Sequence, residues 1–127
     1  MGCFDPRNSY TPLIASPRPS ADIEEFYVLL TRDAFDQEPV VDLVRHIRTK
    51  YGEERFHALI SMRTLIVSGN NPIEFDRETL RIDYHSRENE WQFSYVSKPF
   101  KLAEFTRRYA GPLGIEKFDN FVRMIRW

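Results

Sequence analysis

Between Leu65 and Val96 the chain alternates apolar and polar positions in four short runs. Leu65 and Val67 alternate with Thr64 and Ile66, and Ile73 and Phe75 flank Glu74. Leu80, Ile82 and Tyr84 alternate with Arg81 and Asp83, and Trp91, Phe93 and Tyr95 alternate with Gln92 and Ser94. A period of two is the signature of a strand with one face in a core, because successive side chains point to opposite sides. The gaps are rich in turn-forming residues: Ser68-Gly69-Asn70-Asn71-Pro72, Asp76-Arg77-Glu78 and Ser86-Arg87-Glu88-Asn89.

The pattern predicts a four-stranded antiparallel meander over about residues 64–96. Register sharpens this, since a one-residue slip sends an apolar set to the wrong face. Pairing Val67 with Ile73 and Leu65 with Phe75, then Phe75 with Leu80 and Ile73 with Ile82, keeps apolar residues opposite one another. So does pairing Tyr84 with Trp91, Ile82 with Phe93 and Leu80 with Tyr95. All then share one face. The other face carries Glu74, Arg81, Asp83, Gln92 and Ser94, with Ile66 and Val96 as apolar exceptions.

Helical spacing governs the flanks. Ile23, Phe26, Tyr27 and Leu30 recur at helical intervals after Ser20, an N-cap candidate, and end near Arg32 or Asp33. Pro39 suits the first helical position of a second helix, in which Val40, Leu43, Val44, Ile47 and Tyr51 form an apolar stripe. Gly52 is a natural stop. Phe56, Leu59 and Ile60 suggest a short third helix over 53–60. After the sheet, Leu102, Phe105 and Tyr109 predict a helix over 101–109, which Gly111-Pro112 breaks. Ile115, Phe118, Phe121, Val122 and Ile125 predict a last helix over 115–126. The expected class is α+β, a meander flanked by two to three N-terminal and two C-terminal helices. A further element must sit at a sheet edge or cover part of the polar face. Residues 20–127 read as one domain. Residues 1–19, with prolines at 6, 12, 17 and 19, read as a flexible or docked arm.

Composition limits the functions open to such a fold. Hydrophobic content of 42%, with 14% aromatic, supplies a core for 127 residues. No apolar run is long enough to span a bilayer, and the N-terminus lacks a charged-then-apolar export pattern, so a cytoplasmic protein is expected. Cys3 is the single cysteine, which excludes an intrachain disulfide and a cysteine metal cage. Met-Gly-Cys invites a lipidation reading, but Pro6 stands where the myristoylation pattern wants Ser or Thr.

Signatures of catalysis are missing. His46 lies four residues from Asp42 and from Lys50, as in an ion-pair ladder along a helix. His57 follows Glu53 by four, and no third metal ligand is nominated. His85 falls opposite Glu90 at a hairpin mouth. There is no nucleophile elbow, Walker loop or dinucleotide fingerprint. No cofactor, metal or catalytic residue is therefore expected. The strongest small-ligand candidate is the polar sheet face, Glu74, Arg81, Asp83, Gln92 and Ser94, with a carboxylate as acid or base and Arg81 as anion clamp.

Charge is distributed unevenly. Residues 20–40 hold Asp22, Glu24, Glu25, Asp33, Asp36 and Glu38 against Arg32 alone. Residues 98–127 hold seven bases and three acids. Either the two ends neutralise each other, or one steers a partner of opposite charge. A net charge of −1 and the absence of a nucleic-acid-binding motif argue against nucleic acid. The leading expectation is a non-catalytic protein-binding module of the inhibitor, antitoxin or immunity type. It would meet a basic partner surface through Asp22, Glu25, Asp33, Asp36 and Glu38. A small enzyme or ligand-binding protein using the polar sheet face is the alternative. Edge strands also leave pairing between two copies open.

Overall fold

The computed structural model describes residues 14–15, 17–33, 36–69, 73–74, 78–96 and 105–125. It is an α+β protein. In chain order the elements are β1 (Ile14–Ala15), α1 (Ser20–Asp33), α2 (Glu38–Tyr51), β2 (His57–Ser61), β3 (Thr64–Ser68), β4 (Ile73–Glu74), β5 (Thr79–His85), β6 (Glu90–Val96), β7 (Phe105–Ala110) and α3 (Gly114–Ile125). A single 3-10 turn over Gly111–Leu113 leads into α3. Strands β2-β3-β5-β6-β7 form a five-stranded antiparallel sheet in that order, and β1 pairs with β4 apart from it.

The predicted apolar face is the core face. Leu65, Val67, Leu80, Ile82, Trp91, Phe93 and Tyr95 are all buried there. The β5–β6 hairpin has the expected register, with Leu80 opposite Tyr95, Ile82 opposite Phe93 and Tyr84 opposite Trp91. The three helices cover this face: Ile23 and Tyr27 of α1, Leu43 and Val44 of α2, and Phe118 and Phe121 of α3 join the same cluster.

Four local expectations are corrected. The first concerns pairing around residues 73–75. Strand β3 pairs directly with β5, Leu65 opposite Ile82 and Val67 opposite Leu80, so residues 73–74 are not a strand of the main sheet. Residues 73–74 pair with β1 instead, and Ile73 is buried with Leu59 and Ile66 on the reverse face. The apolar exception Ile66 thus has its cover. Phe75 lies outside the described residues.

The second and third corrections turn predicted helices into strands. Residues 57–61 are β2, paired along their length with β3. Ala58 and Ile60 pack on the main core while Leu59 is buried on the other side, so apolar residues on both faces hide the period of two. Residues 105–110 are β7, with Phe105 opposite Tyr95 and Tyr109 opposite Trp91. Phe105 and Tyr109 are four apart, a separation that fits both a strand face and a helix face. Ring contacts of Phe93 with Tyr109 at 5.4 Å and Tyr95 with Phe105 at 5.6 Å favour the strand. Leu102 lies outside the described residues, as do residues 1–13, Arg126 and Trp127.

Finally, Ser20 does not cap α1. The Pro19 carbonyl accepts from Asp22 and Ile23, while the Ser20 hydroxyl donates to Glu53. The end of α2 is as expected: Gly52, at φ +83°, donates its N–H to the Arg48 carbonyl.

Candidate functional site

The helical hairpin α1–α2 carries the acidic candidates of residues 22–38. Along α1 the core side is set by Ile23 and Tyr27, which turns Asp22 and Glu25 outward. Asp36 and Glu38 are exposed where α2 begins, and Asp42 is exposed one turn further on. Asp36 Oδ1 accepts the Glu38 N–H at 3.2 Å, closing the entry to α2. The Asp33 side chain is outside the described residues. Asp22 and Glu25 therefore stand at one end of α1, and Asp36 and Glu38 beyond the other, roughly 20 Å away for a helix of this length.

Glu24 behaves differently. It points between the helices, where Arg48 Nη2 bonds Oε1 at 2.7 Å and Arg45 Nε lies 3.3 Å from Oε2. The Arg48 hydrogen bond holds its carboxyl below the usual range against the opposing effect of desolvation, with Arg45 adding to it. Asp22, Glu25, Asp36 and Glu38 have no cationic partner among the described residues. Nor does any ion pair among those residues join the acidic 22–38 segment to the basic C-terminal one.

The polar sheet face gathers four of its five candidates. Arg81 is opposite Ser94, and Asp83 is opposite Gln92. Glu74 stands in the small β1–β4 sheet, outside this register. Asp83 accepts from Thr64 Oγ1 at 2.6 Å, and Ser94 shares a hydrogen bond with Thr106 at 3.2 Å, so both engage neighbouring strands. Arg81 is exposed and unpaired among the described residues. Two cavities lined by described residues do not include these side chains. One of them, about 60 Å³ between α1, α2 and the sheet, has Arg18, Arg48 and Glu53 at its rim. Its volume suits a few waters rather than a metabolite.

A polar centre that the sequence pattern does not announce joins α2 to α3. Asp119 accepts from Tyr51 Oη at 2.6 Å and from Lys50 Nζ at 3.1 Å, and it meets His46 Nε2 at 3.0 Å. Burial alone would raise the Asp119 pKa, but the hydrogen bonds from Tyr51, His46 and Lys50 outweigh it and hold the carboxyl low. Burial, then the bond to Asp119, pushes the Tyr51 phenol up to about 12. The trio resembles a catalytic constellation in composition, yet no Ser, Thr or Cys side chain reaches His46 among the described residues. All donors converge on one carboxylate, which is the geometry of an inter-helix clamp. The signal for it was His46, Lys50 and Tyr51 lying on adjacent turns of one helix. The partner, more than sixty residues away, was not legible.

Among the described residues no group of three His, Cys, Asp or Glu side chains could hold a metal ion. No helix among them is long and apolar enough to cross a membrane. No protein-family model, curated protein or solved structure matches this chain.

Proposed function

We propose that the chain is a non-catalytic protein-binding module that docks the acidic face of its α1–α2 hairpin on a basic surface of another protein. The observation that carries this reading is the contrast within one segment. Glu24 is neutralised by two arginines of the same hairpin, while Asp22, Glu25, Asp36 and Glu38 project outward without a cationic partner among the described residues. Exposed like charges are mildly unfavourable to the fold that carries them, and they speed encounter with a surface of opposite sign. Inhibitors, antitoxins and immunity proteins that mask a basic site use carboxylates in this way.

The test uses Asp22→Asn, Glu25→Gln, Asp36→Asn and Glu38→Gln together. Neutral amides of the same shape leave the helices intact, so the melting temperature should be unchanged. A partner captured by the wild-type chain should be purified and its affinity measured across a salt series. The variant should bind about tenfold more weakly at low salt, and its affinity should depend less steeply on salt. Equal binding by both proteins at every salt concentration overturns the reading.

A further inference from the structure

Strand β7 is an edge of the five-stranded sheet. It pairs with β6 on one side, and among the described residues no strand pairs with the other. The opposite edge is different: the Arg18 N–H donates to the Ala58 carbonyl at 2.8 Å, so the segment before α1 occupies part of β2. An open edge offers a row of unpaired N–H and C=O groups. Beside β7, the sheet and α3 do not close on each other. A groove of about 220 Å³ separates them, lined by Phe105, Arg107 and Tyr109 of β7 and by Lys117, Phe121 and Met124 of α3. Alternate strand positions and helix positions four and three apart line its two walls, so the groove runs beside the open edge.

Its chemistry is two-sided. Phe105 packs against Phe121 at 6.0 Å, and Met124 is 62% exposed. Two cations lie on the aromatic walls, Arg107 5.3 Å from the centre of the Phe105 ring and Lys117 5.4 Å from that of Tyr109. Neither has an acidic partner among the described residues. An inward-facing arginine on an edge strand can serve only to discourage stray pairing. That role does not call for a second cation on the facing helix.

We infer that β7 accepts an extended segment of another protein as a sixth strand, one that sets an acidic side chain between two large apolar ones on the face turned toward α3. Main-chain bonds along the edge would supply affinity, and the groove would read alternate side chains. A second copy of this chain is a poor occupant. Antiparallel self-pairing centred on the strand sets Arg107 against Arg107 or Arg108 of the other copy, and like charges directly opposed are unfavourable. This surface is separate from the α1–α2 face, and its test does not depend on that reading.

The experiment titrates the full chain with an arrayed set of fluorescein-labelled seven-residue peptides. Each has large apolar residues at the second and sixth positions and glutamate at the fourth, with the remaining positions varied. Some members should bind saturably, and amide exchange should slow in Phe105–Ala110. Arg107→Glu with Lys117→Glu should weaken binding about tenfold or more, and a central lysine in the peptide should restore it. Thermal melts establish that the variant is folded. The proposal is overturned if no member binds below about 1 mM, or if the charge-reversed variant binds the glutamate peptides equally well. It is also overturned if backbone N-methylated peptides bind as tightly, which would assign the groove to small amphiphilic anions. A dimer of the free chain that already protects β7 has the same force.

Discussion

Gly114 illustrates how one residue can be fixed by what surrounds it. It sits in ordinary right-handed helical conformation, so no backbone constraint requires glycine. The constraint is space: a Cβ there would fall inside the Trp91 indole, whose Nε1–H donates to the Gly111 carbonyl at 2.8 Å. Trp91 is itself 1% exposed and has no room to retreat. Gly114→Ala should therefore destabilise the protein by about 1–3 kcal/mol through overpacking, measured by denaturant unfolding, although alanine is the better helix former. Asp119 gives a second test at this scale. Its folded pKa lies below the ordinary 3.8, so its contribution is present above that pH and is lost as pH falls through the folded value. Asp119→Asn should cost about 2–3 kcal/mol at neutral pH, the scale of hydrogen bonds to a charged group. The gap between variant and wild type should narrow progressively below about pH 4. A constant gap from pH 7 to pH 2 would show that the carboxylate charge does not hold α2 to α3.

At the scale of elements, the sequence was informative where one face was wet and the other dry. The β5–β6 hairpin and both α2 and α3 have such faces, and their extents and registers were legible. The β2 strand was not, because its two faces are both partly buried and its hairpin turn is Met62-Arg63, without the glycine or asparagine that marks such turns. Met62 adopts φ +58° and is 92% exposed. A side chain in that conformation carries a steric cost that glycine avoids, and nothing is packed against Met62 to be lost. Met62→Gly should relieve about 1–2 kcal/mol of left-handed strain against about 0.5–1 kcal/mol of added glycine backbone entropy, a small net stabilisation read as a higher denaturant midpoint with unchanged slope. Destabilisation would mean that this turn is set by the methionine rather than tolerated by it. The same reasoning bounds the candidate sites. Glu74 left the polar face because β3 reaches past it to β5, a choice between two partners of equal apolar parity that local pattern does not decide.

For the molecule as a whole, the question is whether the acidic hairpin and the sheet behave as one rigid body. The packing says that they do. Ile23 and Tyr27 of α1 are buried in the cluster that includes Leu80 and Phe93, and the Tyr27 hydroxyl donates to the Arg63 carbonyl at 3.0 Å in the β2–β3 turn. Burial, and then the Asp83 charge, raises the Tyr27 pKa, so that phenol stays a neutral donor. Gln37, 6% exposed at the entry to α2, bonds the Tyr84 carbonyl of β5 at 3.1 Å. A pre-ordered surface spends little of its binding free energy on ordering itself. Native-state hydrogen exchange tests this. Amides in β5 and β6, paired over seven residues and flanked by strands on both sides, should exchange only through global unfolding. Those of Tyr27–Leu30 and Leu43–Ile47 should exchange at the same free energy, within about 1 kcal/mol. The two-residue β1–β4 pairing should open well below it. If the helical amides exchange at a clearly lower free energy than β5 and β6, the hairpin is a separate unit. Its carboxylates would then be ordered only on binding, with a correspondingly weaker affinity for the area they cover.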